Sequence, residues 1–291
     1  MMKAAEARSR VTLKNILFAT DFSDAAIAAA SIAVQIAQRY GAKVYGAHVN
    51  KFENYSAVAP QNWAALAEAE VRERNEDTER LNEQLMRVEH EAVVTEGNTW
   101  EVLSKVVQEK EIDLIVLGTR GRTGIGKALL GSVAEEILRQ APCPVLTVGP
   151  HINLWSEEYA KMKEILFATD LSRDYPAAAP YAVSLAQENE AHLALLHVIE
   201  TAKTNELKGA EKKERKLQRL IPPGAELAFE PVYIVEHGPA AEKILDVARR
   251  RHTDMIVLGA RPAGWLATHF NVGTVHQVVA EATCPVLTIR G

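Results

Sequence analysis

The sequence predicts an α/β protein built from two copies of one domain, each a five-stranded parallel sheet with helices between its strands. Three observations carry this. Lys14-Asn15-Ile16-Leu17-Phe18-Ala19-Thr20-Asp21 returns 149 residues later as Lys163-Glu164-Ile165-Leu166-Phe167-Ala168-Thr169-Asp170, and His48-Val49 returns at the same offset as His197-Val198. Asp113–Gly118 returns as Asp254–Gly259, and Cys143–Thr147 as Cys284–Thr288, at an offset of 141. Within each copy, short continuous apolar runs alternate with stretches of helical period, the pattern of parallel strands covered on both faces. The change of offset places a net eight-residue deletion between the second and third strands of the second copy. The copies are expected at residues 1–150 and 151–291, with the joint near Pro150–Met162.

In the first copy, Ile16–Ala19 is the first strand. Ser23 or Asp24 caps a helix whose Ile27, Ala30, Val34 and Ala37 fall at helical spacing. Gly41 ends that helix where a left-handed residue is wanted. Val44–Val49 is the second strand. Residues 51–90 begin irregularly and become a charged helix from about Trp63 to Arg87, with Leu66, Val71, Leu81 and Leu85 for a buried side and a solvated face of Glu and Arg. Ala92–Glu96 is the third strand, Trp100–Lys110 a helix, Leu114–Leu117 the fourth strand, and Val145–Val148 the fifth after a helix that opens at Ser132. In such sheets ligands bind outside the carboxyl ends of the strands, where strand order reverses. Asp21, Val49 and Gly118 would share that edge.

Length and composition set bounds on function. The 291 residues carry a formal net charge of −5, which argues against an electrostatic nucleic-acid binder. Met1–Arg10 is polar and lacks the apolar core of a secretory signal, and no apolar run approaches the roughly 18 residues that span a bilayer, so the cytoplasm is the expected compartment and no membrane partner is expected. The two cysteines, Cys143 and Cys284, share a Cys-Pro-Val-Leu context and read as small buried residues at strand entries rather than redox or metal groups. The nine histidines show no ligand spacing, so no metal site is expected.

The chemistry concentrates between Gly118 and Gly131, a fourteen-residue loop with five glycines. Glycine lets the main chain approach a ligand closely, and the free N–H groups of the helix start that follows attract anions. Two phosphate motifs fail here. Gly121 to Lys127 nearly satisfies G-x-x-x-x-G-K-[ST], but Ala128 lacks the hydroxyl that would hold Mg²⁺ and the loop follows the fourth strand. A dinucleotide fingerprint using Gly124 and Gly126 meets Leu129 where its third glycine belongs. A third pattern fits throughout: Gly118, two residues, Gly121, nine residues, Gly131, then Ser132.

That pattern closely resembles the universal stress protein family, whose ATP-binding members carry G-x2-G-x9-G-[ST] between strand four and the next helix. The resemblance spans both copies through Ile-Leu-Phe-Ala-Thr-Asp-Phe-Ser, the His-Val ending strand two, Glu96-Gly97, Leu-Ile-Val-Leu-Gly and the Gly-Ser-Val-Ala-Glu-Glu stretch. It implies Rossmann-like domains of the adenine nucleotide alpha hydrolase type and, as cofactor, ATP, with or without Mg²⁺. Adenine would be held by Asp21 and the backbone of Val49, with Ala19 and Thr20 at the same strand end and the ribose against Leu117 and Gly118. The triphosphate would lie against backbone N–H groups of Gly121, Arg122, Gly131, Ser132 and Val133, with the Ser132 hydroxyl as a further donor. Arg120, Arg122 and Lys127 add mobile positive charge. Asp21 reads equally as a carboxylate that caps a helix at a strand end.

In the second copy Pro262 stands at the second motif glycine and removes an N–H donor, ten residues rather than nine precede Gly273, and Trp265 and Phe270 replace Gly124 and Leu129. This copy is expected to bind ATP weakly or not at all. The function implied is an ATP-binding stress-response regulator acting through conformation or partner contacts. The alternatives are a nucleotide-independent interaction scaffold, or a slow ATPase or self-phosphorylating protein. No triad, carboxylate pair, general base or arginine finger is recognisable, so the chain is not read as an enzyme beyond weak hydrolysis or autophosphorylation. The family resemblance further implies that Pro144–Val148 and Pro285–Ile289 pair the copies into an internal pseudo-dimer, with a homodimer of chains on top of it; protein partners stay unidentified.

Overall fold

The computed structural model describes residues 11–50, 60–119, 130–149, 152, 162–171, 178–200, 206–260 and 272–290. The chain divides into two compact units. One covers Leu13–Leu154; the other covers Trp155–Gly291 and takes in Val11 and Thr12 of the described N-terminal residues.

The first unit runs β1 (Asn15–Thr20), α1 (Asp24–Tyr40), β2 (Lys43–Asn50), α2 (Trp63–Leu85), β3 (His90–Glu96), α3 (Thr99–Glu109), β4 (Leu114–Gly118), α4 (Ser132–Gln140) and β5 (Val145–Val148). All its strands are parallel, in the order β3-β2-β1-β4-β5. Strand order therefore reverses beside β1, and the crevice at the carboxyl ends of β1 and β4 is the topological switch point. Ile16, Leu17, Phe18, Ile115 and Val116 are fully excluded from solvent, as strands covered on both faces require.

The expected helix signals take physical form. Ser23 caps α1, its Oγ accepting from Ala26 N at 3.4 Å, and Gly41 closes it with φ 64°. Ala30, Val34 and Ala37 are buried as the spacing predicts, but Ile27 is exposed, at the margin of the buried face beside the exposed Asp24 and Ser31. α2 departs further from expectation. Leu81 and Leu85 are fully buried against β2, yet Val71 is exposed and Leu66 only half-buried. Burying a leucine stabilises by about 1.5 to 3 kcal/mol, so the C-terminal third of α2 anchors it to the sheet. Arg74 bonds Glu96, the last residue of β3, at 3.3 Å. The turns before Arg74 thus run beyond the end of that strand, where the apolar stripe has no sheet to cover.

The second unit repeats the plan: β6 (Glu164–Ala168), α5 (Ala178–Asn189), β7 (His192–Ile199), α6 (Glu206–Gln218), β8 (Val232–His237), α7 (Ala240–Arg250), β9 (Met255–Ala260), α8 (Val272–Glu281) and β10 (Val286–Arg290). The strands are parallel in the order β8-β7-β6-β9-β10. The deletion falls where the offsets put it: α2 has 23 residues and α6 has 13. Even the unusual backbone repeats. Phe22 and Leu171, Gly41 and Glu190, Gly97 and Gly238, and Glu111 and His252 all hold positive φ at equivalent positions.

At the amino-terminal edge of each sheet one aspartate ties two strands together. Asp113 Oδ2 accepts from Lys14 N at 2.7 Å and Asn15 N at 3.0 Å, and Asp254 Oδ2 accepts from Lys163 N at 2.7 Å and Glu164 N at 2.9 Å. Nearby, Glu91 receives Lys43 and Lys110 at 3.1 and 2.8 Å, with both ammonium groups over the Tyr45 ring. Hydrogen bonds from Lys110 and then Lys43 hold the Glu91 carboxyl below its usual range.

Candidate functional site

The residues expected at the strand ends converge on the carboxyl edge of the first sheet. Along β1, burial is complete through Phe18 and then relaxes: Ala19 and Asp21 are half-buried, with Thr20 buried between them. The chain turns sharply there. Thr20 Oγ1 accepts from Phe22 N at 2.9 Å, Asp21 Oδ1 accepts from Ser23 N at 3.1 Å, and Phe22 takes φ 60°. Asp21 is therefore a turn acceptor leading into the Ser23 cap, a structural role that leaves its half-buried position on the open edge unchanged. Val49 pairs with Thr95 and is half-buried; Leu117 is buried and Gly118 half-buried at the end of β4.

Gly118 has a packing reason to be glycine. A Cβ there would stand 2.8 Å from both Ala25 C and Ala26 N, inside the backbone of α1. The second copy keeps glycine at the equivalent Gly259, so helix–strand contact is by itself a sufficient reason for glycine here.

The helix beyond the loop is different. Gly131 N donates to Thr119 O at 2.9 Å, which closes the loop at its base, and Gly131 is the N-cap of α4 with φ −64° and ψ 143°. A glycine cap offers no side-chain acceptor, whereas Ser23 and Asn98 cap α1 and α3 with their side chains. Gly131 thus gives the first N–H groups of α4 no side-chain cap, as Asn62 gives none to α2, and the helix dipole adds about half a positive charge at that point. Ser132 is exposed and Val133 half-buried. Arg120, Gly121 and Arg122 of the expected phosphate cradle, with Lys127, lie outside the described residues.

One cluster at this edge escaped the sequence reading. His48, buried at the end of β2, donates from Nδ1 to Thr20 O at 2.8 Å. Its Nε2 meets the Asn50 side chain at 2.8 Å and Asp77 Oδ2 at 3.7 Å. Asp77 is buried on α2 and also pairs with Arg80 at 3.6 Å; Arg80 lies over the Phe22 ring, which packs on His48 at 4.6 Å between centroids. The signal was present: Asp77 stands four and eight residues before Leu81 and Leu85, on the buried stripe of a helix read as solvated.

The second copy keeps the frame and changes its chemistry. His197 Nδ1 donates to Thr169 O at 2.9 Å, but Ile199 replaces Asn50. Lys213 stands four residues before the fully buried Leu217, as Asp77 stands four before the fully buried Leu81, and by that spacing we match it to Asp77. Burial above all, then Lys213 and Lys216, holds His197 below its ordinary range. Burial likewise pushes the Lys213 amine down, with Lys216 adding to it. Cys284 is buried and Cys143 half-buried; burial raises both thiols to about 12, which leaves them protonated and unreactive at neutral pH. Among the described residues no group of three or more His, Cys, Asp or Glu side chains is placed to hold a metal, and no helix is long and apolar enough to cross a membrane.

The sequence model of the Universal stress protein family matches residues 12–149 and again residues 161–290. The chain belongs to the universal stress protein family. A universal stress protein of Methanocaldococcus jannaschii is 33% identical over 138 residues, covering 46% of this chain and 81% of that one. One from Thermus aquaticus is 32% identical over 139 residues, covering 46% and 98%. Among solved structures, a universal stress protein from Archaeoglobus fulgidus is similar over 95% of this chain and 98% of its own, with a TM-score of 0.68 at 18% identity. That likeness shows the fold, an α/β universal stress protein domain with a parallel sheet, present here twice.

Proposed function

We propose that the first universal stress protein domain binds ATP and that occupancy alters the conformation or partner contacts of the tandem chain. The observation that carries this reading is the start of α4: a helix N-terminus with Gly131 as its N-cap, whose N–H bonds the Thr119 carbonyl just after β4, at the carboxyl edge of the sheet where Asp21 and Val49 also lie. Backbone N–H groups of that kind suit phosphate oxygens. In this reading Gly131, Ser132 and Val133, with Gly121 and Arg122, hold the phosphates, and Arg120 adds charge. Asp21 and Val49 face the base, with Ala19, Thr20, Leu117 and Gly118 forming the floor. Any Mg²⁺ arrives with the nucleotide, since no carboxylate cluster among the described residues is placed to bind it. In this reading the second domain, with Pro262 in its loop, binds ATP weakly or not at all.

Mass spectrometry of the purified protein, followed by calorimetry with ATP, tests this. About one ATP per chain is expected. Gly121→Pro, which copies Pro262, should weaken binding at least tenfold by removing a donor and fixing φ. Unchanged affinity removes the assigned cradle, and the absence of any nucleotide binding by the unmodified chain favours a scaffold. A solution mass near the single-chain 32.0 kDa would exclude the homodimer that forms part of the same proposal.

A further inference from the structure

This inference rests on the nucleotide reading above and adds to it a residue that the glycine pattern leaves out. Thr119 follows β4 directly and is 2% exposed, and among the described residues its Oγ1 has no hydrogen-bond partner. Its backbone is fully engaged: Thr119 N donates to Val148 O at 2.9 Å and Thr119 O accepts from Gly131 N at 2.9 Å. Position and backbone are thus fixed, and only the hydroxyl is unspent. A buried hydroxyl without a partner is costly and calls for an explanation.

Direction supplies one. A side chain on Gly118 would point into α1, so strand alternation turns Thr119 to the opposite face of the sheet, the face on which α3 and α4 pack. The orphaned hydroxyl is therefore on the side of the α4 start, which Gly131 leaves without a side-chain cap, and the backbone of the same residue is tied to that start through Gly131 N. The second copy acts as an internal control. There the equivalent residue is Ala260, so the copy that lost the loop glycine has lost this hydroxyl as well, while the packing glycine before it is retained as Gly259.

We propose that the Thr119 hydroxyl is a nucleotide-anchoring group of the first domain, donating to an oxygen of the ribose–phosphate portion of the ligand held at the α4 N-terminus. Ligand binding gives the orphaned group its partner, so its contribution appears in affinity and not in the stability of the free protein.

Calorimetry with ATP, ADP and adenosine, together with thermal melting of the nucleotide-free protein, tests this on the full chain with Thr119→Val and Thr119→Ser. Valine keeps the shape without the hydroxyl; serine keeps the hydroxyl. The expected result is about tenfold weaker ATP binding in Thr119→Val, in line with loss of one hydrogen bond, near-normal binding in Thr119→Ser, and an unchanged or higher melting temperature of free Thr119→Val. A loss shared by adenosine assigns the partner to the ribose, and a loss confined to ATP and ADP assigns it to phosphate; both support the proposal. Unchanged affinity in Thr119→Val overturns it, as does a fall in melting temperature with affinity retained, which would make the hydroxyl structural. If the unmodified chain binds none of the three ligands, the nucleotide reading itself fails and this proposal with it.

Discussion

The two histidines that close the second strands occupy the same backbone cage under opposite electrostatic conditions. His48 and His197 each donate from Nδ1 to the carbonyl of the threonine ending the first strand. Beyond that bond, His48 faces Asn50 and Asp77, and His197 faces Ile199 with Lys213 and Lys216 as neighbouring charges. The bond to the strand end serves the fold and both copies retain it. The outer groups are not part of that bond, and there the copies have diverged. Side-chain chemistry at a strand end can thus be rewritten without disturbing the turn it stands on.

The comparison can be broken most forcefully through a feature that both copies share. Gly118→Val places a side chain inside the backbone of α1 and should destabilise the first unit by about 3 kcal/mol; calorimetry should show one transition lowered and the other intact. Two equal shifts would mean that the units do not melt separately. Exchanging the outer charges comes next. Asp77→Lys sets a buried ammonium against His48 and should cost about 2 to 4 kcal/mol in the first unit, while the reverse Lys213→Asp should cost far less because Lys213 is only half-buried. Chemical denaturation of both variants measures the difference, and equal losses would contradict the assigned correspondence.

A smaller effect is set by pH. His197 is held below its ordinary value of about 6.5, so below that value the unfolded chain takes up a proton that the folded second unit refuses. Stability of that unit therefore rises with pH through this window and is lost as pH falls from 7 toward 5. Lys213→Asp removes a repelling charge and should flatten this slope, as followed by melting at several pH values; a slope unchanged by it would place the cause in burial alone. The smallest stability effect is expected at the loop. Gly131→Asp gives α4 the carboxylate cap it lacks and should stabilise by only a few tenths of a kcal/mol. The same carboxylate would repel phosphate, so ATP binding should fall sharply; retained binding would detach the nucleotide from the α4 N-terminus.

Much of the fold was legible because the chain states it twice. Two offsets located the strands, and their difference located the shortened α6 before any coordinate was needed. The strand ends at Asp21, Val49 and Gly118 followed from parallel topology alone. Periodicity failed where geometry beyond the helix decides burial. It marks which face of α2 is apolar, but not that this helix outruns β3, so Leu66 and Val71 were assigned to a core that does not reach them. It also hid Asp77, since a carboxylate in a Glu-rich helix reads as solvated until its histidine partner, 29 residues earlier, is brought beside it by the β2–α2 crossover. Gly118 shows a limit of motif reading, since the backbone of α1 by itself already demands glycine there. The glycine-rich positions Gly121 and Arg122 fall outside the described residues and rest on the sequence pattern.

The aspartate clamps Asp113 and Asp254 sit at the far end of the strands from all of this. Each holds the first strand in register with the fourth from below, using main-chain partners that do not depend on which side chains neighbouring residues carry. A mutation at the upper edge therefore meets a sheet already fastened elsewhere. The second copy accordingly carries Lys213 where its fold is otherwise kept, with its sheet intact. The clamp is in that sense a source of evolutionary latitude, letting the upper edge change while the sheet below it stays in register.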